Sequence, residues 1–174
     1  MIGLKDKITD IITNHCGWSV IDDKMIDELA ELLTYSNNQN ETNNTETTQP
    51  TRGICVDGGT EGNPGPCFYR GVDIETNTVL FEKHLGEGTN NIAEFLAIVH
   101  AIHYCEKNNI EPNIWSDSKT AIAWVKNKKA NTTINGPITD RLTKACEYLK
   151  NKNVVINKWK TKDWGEIPAD FGRK

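Results

Sequence analysis

Two carboxylates follow predicted strands, at positions where α/β proteins commonly build their sites. Asp57 follows the apolar residues 54–56, and Asp117 follows the short run 113–116. Both runs are typical of buried strands, so each predicted strand ends on an Asp. Ligands of α/β sheets bind outside the carboxyl ends of the strands, where the strand order reverses. The two residues are therefore candidates for one site, although a turn cap for Asp57 and a helix N-cap for Asp117 are ordinary alternatives.

A third carboxylate, Glu94, lies in a stretch that is otherwise almost entirely apolar. Between residues 92 and 102, every residue except Glu94 and His100 is apolar, which predicts a helix that is buried on most of its surface. An unpaired carboxylate in such a helix is costly, so it requires a cation, a hydrogen-bonded partner or a raised pKa. A salt bridge to a lysine would satisfy Glu94 without any functional role.

Asp170, in the polar tail 160–174, completes a set of four carboxylates that includes no cluster of His or Cys residues. Taken alone, Asp170 would be an ordinary surface residue. Oxygen ligands favour Mg²⁺ or Mn²⁺ over zinc, and carboxylate sites that hold two such ions catalyse in-line displacement at phosphorus. The set therefore indicates a candidate metal-dependent site for phosphoryl transfer.

The charge of the chain is divided unevenly along its length. The net charge of −4 consists of −5 in residues 1–52, −5 in residues 53–105 and +6 in residues 106–174. An acidic half beside a lysine-rich half fits a metal site next to a polyanion, and it fits an ordinary solvated surface nearly as well.

Several features of the sequence favour a cytoplasmic protein. The five cysteines are odd in number and show no CxxC spacing, which is typical of reduced thiols. No apolar run approaches the roughly 20 residues that a membrane span requires. The first ten residues are too charged for a secretory signal. We therefore expect a cytoplasmic location and no association with a membrane.

The chain is expected to have three parts: a small helical module at 1–35, a disordered Asn- and Thr-rich linker at 36–51 and a main domain at 52–174. Apolar residues recur at helical spacing in the first part, and the linker is almost entirely polar. About 35 residues bury too little surface to be stable alone. The module is therefore expected to dock on the main domain, to self-associate or to bind a protein partner.

The predicted elements of the main domain follow the order βββαβααβ, which indicates a mixed sheet flanked by helices. Strands at 68–74 and 79–84 follow the first strand through short connections, which predicts an antiparallel meander. A loop at 86–91 precedes the buried helix, with Asn90 or Asn91 as its N-cap. The remaining elements are a helix capped by Ser118, an amphipathic helix at 138–149 and a strand at 154–159.

Three motifs resemble, in this order and at this spacing, the core motifs of the type 1 ribonuclease H family. They are DGGTEGNPGP from Asp57, TNNIAEFLAI from Thr89 and SDSKTAIAWV from Ser116. The resemblance spans about residues 52–170. It implies an α/β, ribonuclease H-like fold, with a mixed five-stranded sheet flanked by helices and a small N-terminal helical segment in addition. It also implies a two-metal-ion endonuclease that hydrolyses the RNA strand of RNA–DNA hybrids and leaves 5′-phosphate and 3′-hydroxyl ends.

The resemblance also implies roles for individual residues. The family's metal ligands hold two Mg²⁺ or Mn²⁺ ions when substrate is bound, and they match Asp57, Glu94, Asp117 and Asp170. Other family residues contact the RNA 2′-hydroxyls in the minor groove or form part of a phosphate pocket. The first group matches Asn63, Asn90 and Asn91, and the second matches Thr89. Short amides on glycine-rich loops can reach a shallow minor groove, and the 2′-hydroxyl distinguishes RNA from DNA. Turn and cap roles are the simple alternative for the asparagines.

The segment before Asp170 departs from the family pattern. Family members commonly have a His in this loop, and this sequence has no His after His103. Glu166 is then the titratable residue best placed to relay a proton through water. Trp159 and Trp164 can hold the segment by packing on the sheet. Because of this departure, a catalytically weak RNA–DNA hybrid-binding module of the same fold is the alternative function.

Overall fold

A computed structural model of the chain describes residues 48–171. The chain divides into two units after Thr47, and the described residues belong to the second unit. The helical module predicted at 1–35 and most of the linker predicted at 36–51 lie outside the described residues. Residues 48–51 have no regular secondary structure.

The described residues form a five-stranded sheet of mixed direction, with helices packed against it. The strands are arranged in the order β3-β2-β1-β4-β5. Antiparallel pairing joins β1 to β2 and β2 to β3, and parallel pairing joins β1 to β4 and β4 to β5. The mixed five-stranded sheet flanked by helices is thereby confirmed. The elements in chain order are β1 (Ile54–Thr60), β2 (Gly65–Asp73), β3 (Val79–Gly88), α1 (Asn90–Lys107), β4 (Ile114–Ser116), α2 (Lys119–Asn127), α3 (Ile138–Leu149), β5 (Ile156–Lys158) and α4 (Thr161–Trp164).

The prediction that the first strand ends on Asp57 was wrong. Strand β1 continues to Thr60, because residues 57–60 pair in antiparallel register with β2, from Asp57 opposite Arg70 to Thr60 opposite Cys67. Gly58 and Gly59, which suggested a turn, lie in extended backbone within this ladder. Asp57 therefore lies inside a strand and is held by the sheet rather than by a loop.

Other boundaries also differ from the predictions. Strand β3 extends to Gly88, into the segment predicted as a loop. Thr89, not Asn90 or Asn91, is the N-cap of α1, and its side-chain oxygen accepts a hydrogen bond from the backbone N–H of Ile92. The last strand is shorter than predicted, and the short helix α4 that follows it was not predicted. Strand β3 extends because its pairing with β2 continues to Gly88, opposite Gly65, and this pairing overrides the local turn signals.

The two faces of the sheet bury different residues. Because side chains alternate along a strand, Ile54 and Val56 of β1 join the main core with α1, whereas Cys55 belongs to a second cluster. That second cluster also contains Val72, Trp159, Ile167 and Ala169, with Ile74, Trp115 and Trp164 packed against it. The C-terminal segment is thus fixed to the face of the sheet that also carries Asp57.

Gly58 permits the closest approach between β1 and α1. A Cβ built on Gly58 would lie 2.6 Å from the carbonyl carbon of Ala93 and 2.6 Å from the backbone nitrogen of Glu94. Backbone atoms of a buried helix cannot yield to such a contact without moving the helix. Because Gly58 has no side chain, α1 can lie close enough to β1 to bring Glu94 next to this strand.

We predict that Gly58→Ala destabilises the protein by about 1–3 kcal/mol, because overpacking a well-packed contact costs this amount. Gly59→Ala is the matched control, since its Cβ would meet ring atoms of Phe68 at 3.1 and 3.3 Å, and a side chain can shift. Urea unfolding of both variants measures the difference. Equal destabilisation by the two substitutions would contradict the close approach at Gly58.

Candidate active site

Three of the four predicted carboxylates meet in one place. Asp57, Glu94 and Asp117 each offer a carboxylate oxygen, and these oxygens all lie within 4.8 Å of one another. All three residues are half-buried. We call these residues the acidic triad. The structure therefore brings together side chains that are 37 and 23 residues apart along the chain.

The sheet topology places Asp57 beside Asp117. Strands β1 and β4 run parallel, and their last paired residues are Val56 and Ser116. Asp57 and Asp117 directly follow these paired residues along the chain, so they lie at the same level, where the parallel pairing ends. From this point β1 continues as a partner of β2, whereas β4 ends and the chain enters α2 through its N-cap, Ser118. The two carboxylates thus lie where the pairing between β1 and β4 ends.

Glu94 reaches the triad from the second turn of α1, and a hydroxyl holds it there. The Ser118 side chain donates a hydrogen bond of 2.6 Å to Oε2 of Glu94. The same oxygen of Ser118 accepts from the backbone N–H of Ala121 at 3.1 Å, which is its capping bond. Ser118 therefore joins the N-terminus of α2 to the carboxylate of α1. This contact supplies the hydrogen-bonded partner that a buried Glu94 requires.

Burial and mutual repulsion disfavour the ionised forms of the triad. Desolvation, followed by the nearby charge of Asp117, raises the pKa of Asp57 to about 7. Desolvation also raises the pKa of Glu94 to about 7, against the opposing hydrogen bond from Ser118. The pKa of Asp117 is raised as well, chiefly by desolvation. Carboxylates whose ionisation is unfavourable are suited to bind a cation, because the positive charge would offset both the desolvation and the mutual repulsion.

Lys158, at the end of β5, is a cationic side chain whose charge acts on the triad. Its Nζ donates to the backbone carbonyl of Asp117 and, at 2.9 Å, to that of Trp159. Its charge lowers the pKa values of Asp117 and Glu94, in opposition to desolvation. Lys158 therefore ties the end of β4 to the end of β5 and offsets part of the negative charge.

Asp170 lies close to the triad without belonging to it. Its charge contributes to the raised pKa values of Asp57 and Asp117. The preceding segment is anchored by Trp159, which is fully buried and donates from Nε1 to the carbonyl of Gly165 at 2.9 Å. Trp164 packs edge-on against Trp159 with the ring centroids 5.3 Å apart. The prediction that these two tryptophans hold the segment is confirmed.

The residues predicted to contact RNA lie in two places. Asn63 is exposed in the turn between β1 and β2. Thr89 caps α1, and Asn90 and Asn91 are exposed in its first turn, one turn before Glu94. Thr60, at the end of β1, donates a hydrogen bond of 2.8 Å to Oδ1 of Asn90. This bond connects the end of β1 to the start of α1.

Glu166, predicted as a proton relay, is exposed in the segment between α4 and Asp170. Its charge contributes to the raised pKa of Asp117. Glu166 is therefore close enough to Asp117 for the two charges to interact.

Sequence reasoning missed three residues around these carboxylates. Ser118 was predicted as a cap, and its bond to Glu94 was not foreseen. Lys158 and Arg70 were not singled out, although each is a charged residue inside a predicted strand. A cation within a strand of the sheet, where it is partly removed from water, requires a partner, and that requirement was the available signal.

Comparison with known proteins assigns the chain to a family. The model of the RNase H family matches residues 49–165, which is more than half of the chain. The chain therefore belongs to the RNase H family. The match includes the acidic triad and ends before Glu166 and Asp170, so these last two residues lie beyond it.

Individual relatives are more distant. The chain is 30% identical over 90 residues to the ribonuclease H of Neorickettsia sennetsu, a match that covers 46% of this chain and 60% of that protein. Among solved structures, LC11-RNase H1 in complex with an RNA/DNA hybrid is 23% identical, with a TM-score of 0.44 over 63% of this chain and 85% of the other. RNase H1 of Halobacterium salinarum is 20% identical, with a TM-score of 0.44 over 62% and 83% of the two chains. The family assignment rests on the family model.

The helices described within residues 48–171 include none that is long and apolar enough to cross a membrane.

The raised pKa values predict a pH-dependent effect of Asp57→Asn on the metal-free protein. Between about pH 4 and pH 7 the folded state retains protons that the unfolded chain releases, so the free energy of unfolding falls as the pH rises. Removing one buried charge should raise the Tm at pH 8, by roughly 4 °C for each kcal/mol relieved. At pH 4 the protonated Asp57 resembles Asn, so the gain should nearly disappear.

Thermal unfolding in the presence of a chelator, at pH 4 and pH 8, measures this effect. Asp140→Asn, which removes an exposed carboxylate on α3, is the matched control with which the Tm change of Asp57→Asn is compared at each pH. A gain from Asp57→Asn that is equal at the two pH values would contradict the raised pKa of Asp57.

Proposed function

We propose that this chain is an endonuclease that hydrolyses the RNA strand of RNA–DNA hybrids. The observation that carries the proposal is the half-buried acidic triad in a chain of the RNase H family. The donor set fits hard divalent cations, because it consists of carboxylate oxygens whose ionised forms are disfavoured without a cation. We expect the ends to be 5′-phosphate and 3′-hydroxyl, as the family resemblance implies.

Asp57, Glu94 and Asp117, joined by Asp170, would hold Mg²⁺ or Mn²⁺, with two ions present when substrate is bound. When bound, such a pair supplies Lewis-acid chemistry for an in-line displacement at phosphorus. The chain contributes the pre-organisation of the ligands. The sheet fixes Asp57, Ser118 fixes Glu94, and the bond from Lys158 to the carbonyl of Asp117 fixes the end of β4.

We assign recognition of the RNA strand to three exposed amide side chains, one in the turn after β1 and two in the first turn of α1. The Oδ1 atom of Asn90 accepts from Thr60, an arrangement that directs the amide NH₂ of Asn90 to donate. A 2′-hydroxyl in a shallow minor groove is an acceptor that such a donor can reach, and DNA lacks it. Asn63 and Asn91 are exposed and would make similar contacts, and Thr89 would contribute to a phosphate pocket.

We assign the proton relay to Glu166. This sequence has no His after His103, so no imidazole stands in the loop before Asp170. Glu166 is exposed and lies within electrostatic reach of Asp117. A carboxylate in this position can pass a proton through water to or from the reacting oxygen. The missing imidazole also favours the alternative function, a catalytically weak module that binds RNA–DNA hybrids.

The predicted N-terminal module at 1–35 is proposed to bind a protein partner or to associate with a second copy of itself. Residues 1–52 carry a net charge of −5, which disfavours contact with phosphates.

Cleavage of a labelled RNA–DNA hybrid in Mg²⁺ or Mn²⁺ tests the proposal. Asp57→Asn and Asp117→Asn should abolish cleavage while hybrid binding is kept, a loss larger than the roughly 10–100-fold cost of removing an outer-shell partner of a metal site. Asp140→Asn, which removes an exposed carboxylate on α3 that is not part of the triad, should leave cleavage unchanged. Hybrid binding without cleavage by the parental chain would favour the alternative function, and unchanged cleavage in Asp57→Asn would refute the nuclease proposal.

The segment around Asp170 gives a graded prediction. Asp170→Asn should reduce cleavage less than Asp57→Asn, because Asp170 lies outside the triad. The reduction should be larger in Mg²⁺ than in Mn²⁺, since Mg²⁺ demands a nearly ideal ligand geometry. Glu166→Gln should lower kcat with little change in hybrid affinity. Full activity of Asp170→Asn in both metals would show that three carboxylates are sufficient.

A further inference from the structure

We propose that Arg70 is a positioning residue, which holds Asp170 beside the acidic triad. This inference rests on the proposed function, and it adds a residue that the sequence motifs do not include. Arg70 makes no bond to the Asp170 carboxylate in this arrangement. It acts on the backbone that carries that carboxylate.

The guanidinium of Arg70 binds two consecutive carbonyls of the C-terminal segment. Its Nε donates to the carbonyl of Ala169 at 2.9 Å, and its Nη2 donates to the carbonyl of Asp170. Its central carbon also lies 4.4 Å from the ring centroid of Phe171. Three successive residues are therefore contacted by one side chain, across 99 and 100 residues of sequence.

The register of the sheet connects this clamp to the triad. Arg70 on β2 is paired directly with Asp57 on β1. Paired residues on adjacent strands project to the same face, with Cβ atoms about 4.5–5.5 Å apart. Arg70, which anchors the backbone of Asp170, is therefore the direct cross-strand neighbour of Asp57 in the triad. The bonds of Arg70 therefore tie the backbone of Asp170 to the residue that is paired with Asp57.

The surrounding packing shows why a specific clamp is needed. Ile167 and Ala169 are buried in the second cluster, and the N–H of Asp170 donates to the carbonyl of Ile167 at 2.7 Å in a turn. These contacts hold the chain up to the N–H of Asp170. From there the bonds of Arg70 fix the carbonyl of Asp170, and the ring of Phe171 packs edge-on against Phe68 at 4.7 Å.

Arginine suits this role better than lysine does. Its planar fork presents several donors in a rigid geometry and stacks on aromatic rings. The two carbonyls and the ring of Phe171 use these properties together. A lysine would keep the charge but would present a single ammonium on a flexible stem. The effect of Arg70→Lys therefore separates the geometry of the clamp from its charge.

A double-mutant cycle on Mn²⁺ affinity tests the proposal without any reliance on cleavage. Titration calorimetry compares Arg70→Met and Asp170→Asn, singly and together, with the parental chain. Arg70→Met should weaken Mn²⁺ binding by roughly 10-fold or more, as expected for a residue that orients a metal ligand. In the Asp170→Asn background, Arg70→Met should change the affinity by less than about 2-fold. Arg70→Lys should show most of the loss.

A second readout follows the segment itself. Hydrogen exchange of peptides covering residues 165–171 should be faster in Arg70→Met. The control is Arg141→Met, which replaces an exposed arginine on α3 and should leave both readouts unchanged.

If Arg70→Met does not fold, Arg70→Lys takes its place in the cycle. Equal losses of Mn²⁺ affinity in both backgrounds, or no loss in either, would overturn the proposal. Failure of the parental chain to cleave a hybrid would refute the proposed function and would leave the exchange and Mn²⁺ results to decide the role of Arg70.

Discussion

The close packing of three half-buried carboxylates is the constraint on which this domain depends. Asp57, Glu94 and Asp117 lie within 4.8 Å of one another, where desolvation and repulsion oppose their ionisation. Such an arrangement lowers stability unless protons or a cation compensate it. Functional sites commonly hold residues in states that the rest of the fold must tolerate. The remainder of the sheet can be understood as the framework that keeps these side chains together.

Several unrelated contacts serve that framework. Gly58 allows α1 to approach β1 so that Glu94 reaches Asp57 and Asp117. Ser118 gives Glu94 a hydrogen-bonded partner while it also caps α2. Lys158 links the ends of β4 and β5 and offsets part of the charge. Each contact constrains one ligand, and together they leave little freedom to the acidic group before a cation binds.

Much of this arrangement could be predicted from the sequence, because its signals are local. The polar Glu94 in an apolar helix and the Asp after each apolar run indicated a site, and the alternation of strands and helices indicated a mixed sheet. The end of β1 could not be predicted, because Gly58 and Gly59 favour a turn locally and are extended here by pairing with β2. Arg70 was missed because its partners, Ala169 and Asp170, are about 100 residues away. Contacts of that kind depend on the register of the sheet, which no local pattern contains.

Calorimetric titration of the parental chain with Mn²⁺ at pH 7, in two buffers of different ionisation enthalpy, tests the central claim most directly. If the triad is a cation site whose Asp57 and Glu94 have pKa values of about 7, Mn²⁺ must displace protons as it binds. The account predicts saturable binding, with an apparent enthalpy that depends on the buffer and reveals proton release. Binding without any proton release, or no binding at millimolar Mn²⁺, would contradict it.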